Sequence, residues 1–206
     1  LFTTVNGLRS NDIKALYVDP ARKLLYIGSQ LGGLSIMNLV TQHIQTFMLP
    51  SSNMDDNSIY AIHPLEGGKK LLLGSLHGLK LYDASTGIFK ALPKDMMGDY
   101  KFPKHIRDIF QDDSGLIWLG GEDGLAVYQL VRGKLVKAKK PAIDSELMSS
   151  CIYSVYQDFS KNIWIASQQG LFHVSAKSGK IWRYGMEDGL PSNVIFSITQ
   201  DKMGKY

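Results

Sequence analysis

The sequence contains a single cysteine, Cys151, among its 206 residues. It can therefore form no internal disulfide, and it carries no two-cysteine metal or redox motif. It also lacks an apolar run of the roughly 18 residues that a membrane helix needs. Residues 1–20 do not show the charged-then-apolar order of a signal peptide. We therefore expect any export signal or membrane anchor to lie outside this sequence.

No strong charge imbalance is present, because 23 basic and 19 acidic residues give a net charge of +4. Lys137, Lys139 and Lys140 form the one notable basic cluster, and no basic stripe is interleaved with aromatic residues. Nucleic-acid binding by this segment is therefore not expected. A content of 44% hydrophobic and 20% charged residues is that of an ordinary globular chain with a buried core.

Motifs that carry chemistry are scarce. The sequence has no glycine-rich phosphate loop, and its histidines show no metal-ligand spacing, so we predict no metal and no cofactor. Acidic pairs occur at Asp55-Asp56, Asp112-Asp113 and Glu122-Asp123. Adjacency in sequence does not give the opposed geometry that a glycosidase requires, so an enzyme is only the alternative interpretation. The five histidines are His43, His63, His77, His105 and His173.

A repeat of 46 residues runs through the sequence. A small residue ends an apolar run at regular intervals (74−28, 120−74 and 166−120 are each 46), and an isoleucine opens an earlier run in each repeat. A fixed period of this length is typical of repeat architectures. The small residues are Gly28, Gly74, Gly120 and Ala166, and the isoleucines are Ile13, Ile59, Ile106, Ile152 and Ile195.

Each repeat contains four strand signals. The first strand alternates small and branched aliphatic residues, with Asp108 as the exception in a place otherwise held by alanine or serine. The second is continuously apolar, so both of its faces should be covered, and Trp118 and Trp164 should pack in the core between sheets. Aspartates recur in the turn between these strands, where a backbone-bonding role is favoured over calcium binding. They are Asp112, Asp158 and Asp201.

These signals predict an all-β chain that forms a β-propeller. A parallel β-helix would have shorter coils, and an immunoglobulin-like sandwich would not repeat at this period. We interpret residues 1–206 as part of one propeller domain with four complete four-stranded antiparallel blades and partial strands at both ends. The blades should span about 13–49, 59–92, 106–138 and 152–184, and the partial blades 1–5 and 195–206.

Short motifs within the repeat resemble those of the two-component regulator propeller repeat family. The second repeat departs from the pattern, since His63-Pro64 replaces Gln-Asp and Leu72 replaces the tryptophan. The motifs of the third repeat are Gln111-Asp112, Ile117-Trp118-Leu119-Gly120 and Gly124-Leu125, and those of the fourth are Gln157-Asp158, Ile163-Trp164-Ile165 and Gly170-Leu171. The connectors Asn6-Gly7-Leu8-Arg9-Ser10-Asn11 and Asp188-Gly189-Leu190-Pro191-Ser192-Asn193 are also similar.

The resemblance implies a seven-bladed propeller in the periplasmic sensor region of an inner-membrane hybrid two-component protein, which combines a histidine kinase and a response regulator. It implies an oligosaccharide ligand and control of transcription of glycan-utilisation genes. The remaining blades and domains of the same chain would be partners, and the intact sensor would be a homodimer. This segment would not be an enzyme. The alternatives are a propeller glycosidase or lyase, and a protein-binding scaffold.

Loops that emerge on one face of a propeller supply the predicted ligand site. They comprise the connections from an outer strand to the next inner strand and from a second strand to a third. Their hydrogen-bonding groups and aromatic rings would suit a neutral or acidic oligosaccharide, with Tyr100 as a stacking ring; solvated loops are the alternative. The candidate ligand-binding residues are His77, Tyr100, Lys104, His105, Glu122 and Gln168.

Overall fold

Sixteen strands build the computed structural model, which describes residues 1–49, 51, 53–93, 96, 102–138, 147 and 149–205. The strands form four four-stranded antiparallel sheets, each in simple sequence order. No α-helix occurs among the described residues. The chain is an all-β protein with the predicted propeller blades, and it divides into two compact units, Leu1–Lys94 and Asp95–Tyr206.

The first unit contains two blades. A 3-10 helix at Thr4–Asn6 precedes the first blade, and another at Met54–Asn57 leads into the second. Blade 1 consists of β1 (Ile13–Asp19), β2 (Leu24–Ser29), β3 (Gly33–Asn38) and β4 (Ile44–Phe47). Blade 2 consists of β5 (Ile59–Leu65), β6 (Lys70–Ser75), β7 (Gly78–Asp83) and β8 (Ile88–Ala91).

The second unit contains the other two blades. Blade 3 begins at Asp108 and so two residues later than Ile106, where the repeat placed it. Its strands are β9 (Asp108–Gln111), β10 (Leu116–Gly121), β11 (Gly124–Val131) and β12 (Lys134–Lys137). Blade 4 consists of β13 (Ile152–Gln157), β14 (Ile163–Ser167), β15 (Gly170–Val174) and β16 (Ile181–Tyr184).

In each unit, the glycine near the end of the first blade's second strand allows the second blade to pack closely. A Cβ at Gly28 would lie 2.8 Å from Cγ2 of Ile59 in blade 2, and one at Gly120 would lie 2.6 Å from Cγ2 of Ile152 in blade 4. Both isoleucines are fully buried. Close contact between the two blades of each unit therefore explains why Gly28 and Gly120 stand at this position of the 46-residue repeat.

Apolar side chains fill the space between the two sheets of each unit. In the first unit Tyr26 and Leu34 of blade 1 pack with Leu71 of blade 2. In the second, Trp118 of blade 3 packs with Ile165 of blade 4. Since each apolar second strand is covered in this way, burial of hydrophobic surface holds neighbouring blades together.

The recurring aspartate is a turn residue, as predicted. Oδ1 of Asp112 accepts hydrogen bonds from the backbone N–H groups of Ser114 and Leu116, at 2.9 and 3.0 Å. Its Oδ2 accepts from Nε1 of Trp118 at 2.8 Å, and Asp158 accepts from Trp164 in the same way at 2.9 Å. The carboxylate thus fixes the turn and also pairs the polar group of the tryptophan.

The core prediction is confirmed for Trp118, which is 2% exposed, and is wrong for Trp164, which is only half-buried. Trp164 lies on the face of blade 4 that points away from blade 3. There its ring stacks on His173, at 4.3 Å between centroids, and His173 stacks on Trp182 at 5.3 Å. No other described sheet of this unit covers that face, so the same position is less buried than in blade 3.

The two end segments contain no paired strand among their described residues. Thr4–Asn6 is a 3-10 helix where a partial strand was predicted. At the other end, Ile195 donates its N–H to Ser167 O at 2.9 Å, and Gln200 Oε1 accepts from Phe159 N at 3.0 Å. These contacts hold residues 195–200 against blade 4. They do not form the regular backbone hydrogen bonds to a neighbouring strand that a β-ladder requires.

Candidate functional site

In three of the blades, the segment before the first strand contacts the turn between the second and third strands. Gln30 N donates to Asp12 O in blade 1, Glu122 N to Lys104 O in blade 3, and Gln168 N to Cys151 O in blade 4, each at 2.9 Å. The two kinds of loop that were expected to share a face therefore do lie together at one end of each of these blades.

A glycine sets the geometry of the loop that carries Lys104 and His105. Gly121 stands where blades 1, 2 and 4 have a serine, and a Cβ there would lie 2.6 Å from Lys104 O. Because glycine has no Cβ, the loop can lie against the turn, where Asp123 Oδ1 accepts a hydrogen bond from Lys104 N at 2.6 Å. Asp123 thus holds the loop, and the side chain of Lys104 stays exposed.

His105 lies between a cation and a carboxylate. Its Nδ1 is 3.4 Å from Nη2 of Arg107 and 3.8 Å from Oε2 of Glu122. A neutral imidazole can accept from Arg107 through Nδ1, whereas the protonated ring would face Glu122 as an ion pair. His105 also has a left-handed backbone, with φ of 45°, of the kind that concentrates at functional sites. Lys104, His105 and Glu122 thus form one cluster.

His77 belongs to a separate network in the other unit. Its Nδ1 lies 3.2 Å from Oδ1 of Asp56, which is also 3.4 Å from Nζ of Lys80. The hydrogen bond from the Ser51 hydroxyl to Asp56, assisted by Lys80 and His77, lowers the pKa of that carboxyl group despite its desolvation. These contacts give His77 a local structural partner.

The remaining predicted site residues have different outcomes. Gln168 is exposed at the β14–β15 turn, where its backbone contact with Cys151 positions it. Tyr100 lies outside the described residues. Phe102, the neighbouring ring in the same connection, packs on Tyr128 with 5.0 Å between centroids. Phe102 therefore contributes to the packing of blade 3.

A row of three side chains was missed by the sequence analysis. The guanidinium carbon of Arg107 lies 5.5 Å from the ring centroid of Tyr153, and Tyr153 lies 4.8 Å from the ring of Phe196. Phe196 is 67% exposed. The repeat could have revealed the row, because each of these residues follows the isoleucine that opens the first strand. The corresponding residues of blades 1 and 2 are Lys14 and Tyr60.

This Arg107–Tyr153–Phe196 row can bind a ligand through flat apolar faces and hydrogen bonds together. Aromatic rings are enriched at interaction surfaces, where an apolar ring lies beside polar groups. Burial raises the pKa of Tyr153, and its contact with Cys151 adds to the increase, so its hydroxyl stays neutral at physiological pH. The His105–Glu122 pair adjoins the row through Arg107.

At least one member of each acidic pair is engaged in structural contacts. Asp112 accepts from a turn and from Trp118, Asp56 from Ser51 and Lys80, and Asp123 from the backbone of Lys104. Among the described residues, no three or more histidine, cysteine or acidic side chains converge as metal ligands would. The described part of the chain also contains no helix long and apolar enough to cross a membrane.

A cavity of about 640 Å³ opens at the opposite end of blades 3 and 4. Its polar groups are largely paired with one another. Gln157 Oε1 accepts from Asp113 N at 3.0 Å, and Lys161 forms an ion pair with the Asp113 carboxylate. These three side chains of the cavity thus have structural partners, whereas Nε of Arg107 in the row has none among the described residues.

Comparison with solved structures places the chain among β-propellers. The extracellular domain assigned to a hybrid two-component system from B. thetaiotaomicron matches with a TM-score of 0.71 and 23% identity, over 95% of this chain and 25% of that chain. One assigned to a one-component system of the same organism matches with 0.72 and 19% identity, over 93% and 25%. The propeller domain of Cps50 (Swd1) from Myceliophteria thermophila matches with 0.65 and 14% identity, over 96% and 61%.

No protein-family model and no curated protein matches the sequence. The chain spans about a quarter of the length of the two bacterial domains that it resembles. At identities of 23% and below, these similarities concern the fold. The chain has the fold of β-propeller blades, and its similar structures include extracellular domains of bacterial signalling proteins.

Proposed function

We propose that this chain is part of the extracytoplasmic, periplasmic sensor region of a bacterial hybrid two-component protein, and that it binds an oligosaccharide. Binding would control the transcription of glycan-utilisation genes through domains of the same protein, which would work as a homodimer. Support comes from the propeller fold, from the extracellular signalling domains among the similar structures, and from the repeat motifs around Trp118 and Trp164.

The Arg107–Tyr153–Phe196 row, with its exposed Phe196 ring, is the observation that carries the ligand proposal. The flat, weakly polar face of a sugar ring can pack on the exposed ring of Phe196, while its hydroxyl groups need hydrogen-bonding partners around it. Arg107, the exposed Lys104 side chain and the Glu122 carboxylate are available at one end of the row. Gln168 of blade 4 offers a further amide.

We also propose that the segment is not catalytic. General acid-base cleavage of a glycan needs two carboxyl groups that face each other across the bond. The Asp112 carboxylate is saturated by backbone and Trp118 donors, and Asp123 is bonded to the backbone of Lys104. Such carboxylates stabilise turns and have little capacity left for proton transfer.

A panel of neutral and acidic oligosaccharides tests both parts of the proposal. Each glycan would be titrated by calorimetry into the intact sensor region that contains this chain, and the mixtures would then be examined by mass spectrometry for shortened or unsaturated products. We expect at least one glycan to bind and to be recovered intact. Product release would instead identify a glycosidase or lyase, and a complete absence of glycan binding would contradict the sensor proposal in favour of a protein-binding scaffold.

A further inference from the structure

Arg107 has an unusual environment for an arginine at the entrance to β9. It is half-buried, and its guanidinium group lies over the ring of Tyr153 at 5.5 Å. Its Nη2 is 3.4 Å from Nδ1 of His105. At this distance the guanidinium charge is attracted by the face of the ring, and the imidazole occupies one of its five donors.

No carboxylate among the described residues lies within ion-pair distance of Arg107, and its buried Nε has no hydrogen-bond partner there. The neighbouring acids have other contacts. Glu122 faces His105 at 3.8 Å, and Asp108 Oδ2 accepts from Val155 N at 2.7 Å. A partly desolvated charge is normally paired, because burying it alone costs free energy.

We propose that Arg107 is an oxyanion subsite, and that the ligand is an acidic glycan with a carboxylate or sulfate on a sugar ring. This inference rests on the proposed function, and it specifies the class of oligosaccharide. The planar guanidinium fork binds carboxylate and sulfate oxygens through two parallel hydrogen bonds. A sugar ring of the same glycan can then lie on the exposed ring of Phe196, which continues the row from Arg107 and Tyr153.

The local charges are compatible with this assignment. Glu122 lies 3.8 Å from His105 and outside ion-pair distance of Arg107, so it does not occupy the guanidinium group. Lys104 is exposed in the same loop and adds a positive charge. The Asp123 carboxylate accepts a hydrogen bond from the backbone N–H of Lys104 at 2.6 Å and is not within ion-pair distance of Arg107.

The test uses three matched oligosaccharides: one of galacturonate, its carboxyl-reduced galactose counterpart, and a sulfated galactose oligomer. Calorimetric titration of the native chain should give affinity about tenfold higher for an acidic member than for the neutral one, which corresponds to about 1.4 kcal/mol. The better acidic member identifies carboxylate or sulfate as the anion. Arg107→Gln should abolish the preference, because the acidic members lose the guanidinium fork and should then bind no more tightly than the neutral one.

Two further variants make the outcome specific. Arg107→Lys keeps the charge but loses the fork, so it should lose most of the preference; it also carries the test if Arg107→Gln fails to fold. Arg132→Gln, in the exposed β11–β12 turn, should retain the native preference. Equal binding of acidic and neutral glycans by the native chain, or an unchanged preference in both Arg107 variants, overturns this inference alone. If none of the three glycans nor any of the wider panel binds, the proposed function fails with it.

Discussion

Asp108 occupies a place that the other blades fill with small residues, Ala15, Ala61 and Ser154. Its Oδ2 accepts a hydrogen bond from Val155 N of the next blade at 2.7 Å. Burial raises the pKa of Asp108, although the hydrogen bonds from Val155, Ile109 and Ser154 oppose this effect. The sequence marked Asp108 as an exception but did not indicate its contact with Val155.

Asp108→Asn is predicted to stabilise the protein at neutral pH. A carboxyl group with a raised pKa in the folded state binds its proton more tightly there than in the unfolded chain. The contribution of Asp108 to the stability of the fold is therefore complete below the usual aspartate pKa of 3.8. It is lost as the pH rises through the pKa of Asp108 in the folded state. Asparagine stays neutral and keeps an oxygen for Val155 N. The difference in melting temperature between variant and native chain should grow from pH 3.5 to pH 7, values chosen to bracket the expected titration of a carboxyl group.

Asp83→Asn is the matched control for this pH series. Hydrogen bonds from the Ser85 side chain and backbone lower the pKa of Asp83, so its contribution exists above the usual carboxyl pKa and is lost on acidification. The variant should therefore be less stable than the native chain at neutral pH, with the difference shrinking in acid. A melting-temperature difference for Asp108→Asn that does not change with pH would contradict the assignment to Asp108.

Trp118 and Trp164 should differ in their effect on stability. Trp118 is 2% exposed between two sheets and bonded to Asp112, so Trp118→Ala should lower the free energy of unfolding by about 3–5 kcal/mol. Trp164 is half-buried, so Trp164→Ala should have a smaller effect. Urea denaturation would measure both. Equal losses in the free energy of unfolding for the two variants would show that burial does not determine how much each tryptophan contributes to stability.

Neighbouring blades within a unit approach each other closely at the ends of a few strands. Gly120 at the end of β10 faces Ile152 at the start of β13, and a methyl group there would come within 2.6 Å of Ile152 Cγ2. Ile152 is fully buried in the cluster around Trp118, so it has little freedom to move aside. The strand ends are therefore positioned by contact between a glycine and a branched side chain.

Gly120→Ala should destabilise the second unit by about 1–3 kcal/mol through overpacking. The double variant Gly120→Ala/Ile152→Ala should lose less than the sum of the two single variants, because the truncated side chain makes room for the new methyl group. Unfolding in urea would give all three free energies. Additive losses would mean that these two residues do not contact each other in solution.

Much of this arrangement could be predicted because the repeat reflects local chemistry. The Asp112 turn, the glycines that begin third strands and the apolar second strands each depend on a few neighbouring residues. At Gly170, for example, φ is 129° and a Cβ would lie 2.6 Å from Tyr184 O, which explains the recurrent glycine. The exposure of Trp164 could not be predicted in this way, because it depends on which sheet covers a face.

For the molecule as a whole, the binding surface was predicted less completely than the fold. The sequence analysis predicted that these loops lie together, and in the second unit Lys104, His105 and Glu122 do form a cluster. Ligand binding by these residues stays a prediction. The sequence analysis overlooked Arg107 and Phe196, because it took candidate ligand-binding residues only from the loops. Only the contacts between successive blades reveal that these side chains form a row with Tyr153.

Phe196 tests the proposed binding surface most directly, because Phe159 provides a matched control. The two rings are 67% and 63% exposed, but Phe159 lies in the β13–β14 turn at the other end of blade 4. The glycan that binds best to the native chain should be titrated into both alanine variants. Phe196→Ala should weaken binding by about tenfold, which corresponds to about 1.4 kcal/mol, whereas Phe159→Ala should bind as the native chain does. Native affinity in Phe196→Ala, or an equal loss in both variants, would contradict the assignment of glycan binding to the Arg107–Tyr153–Phe196 row.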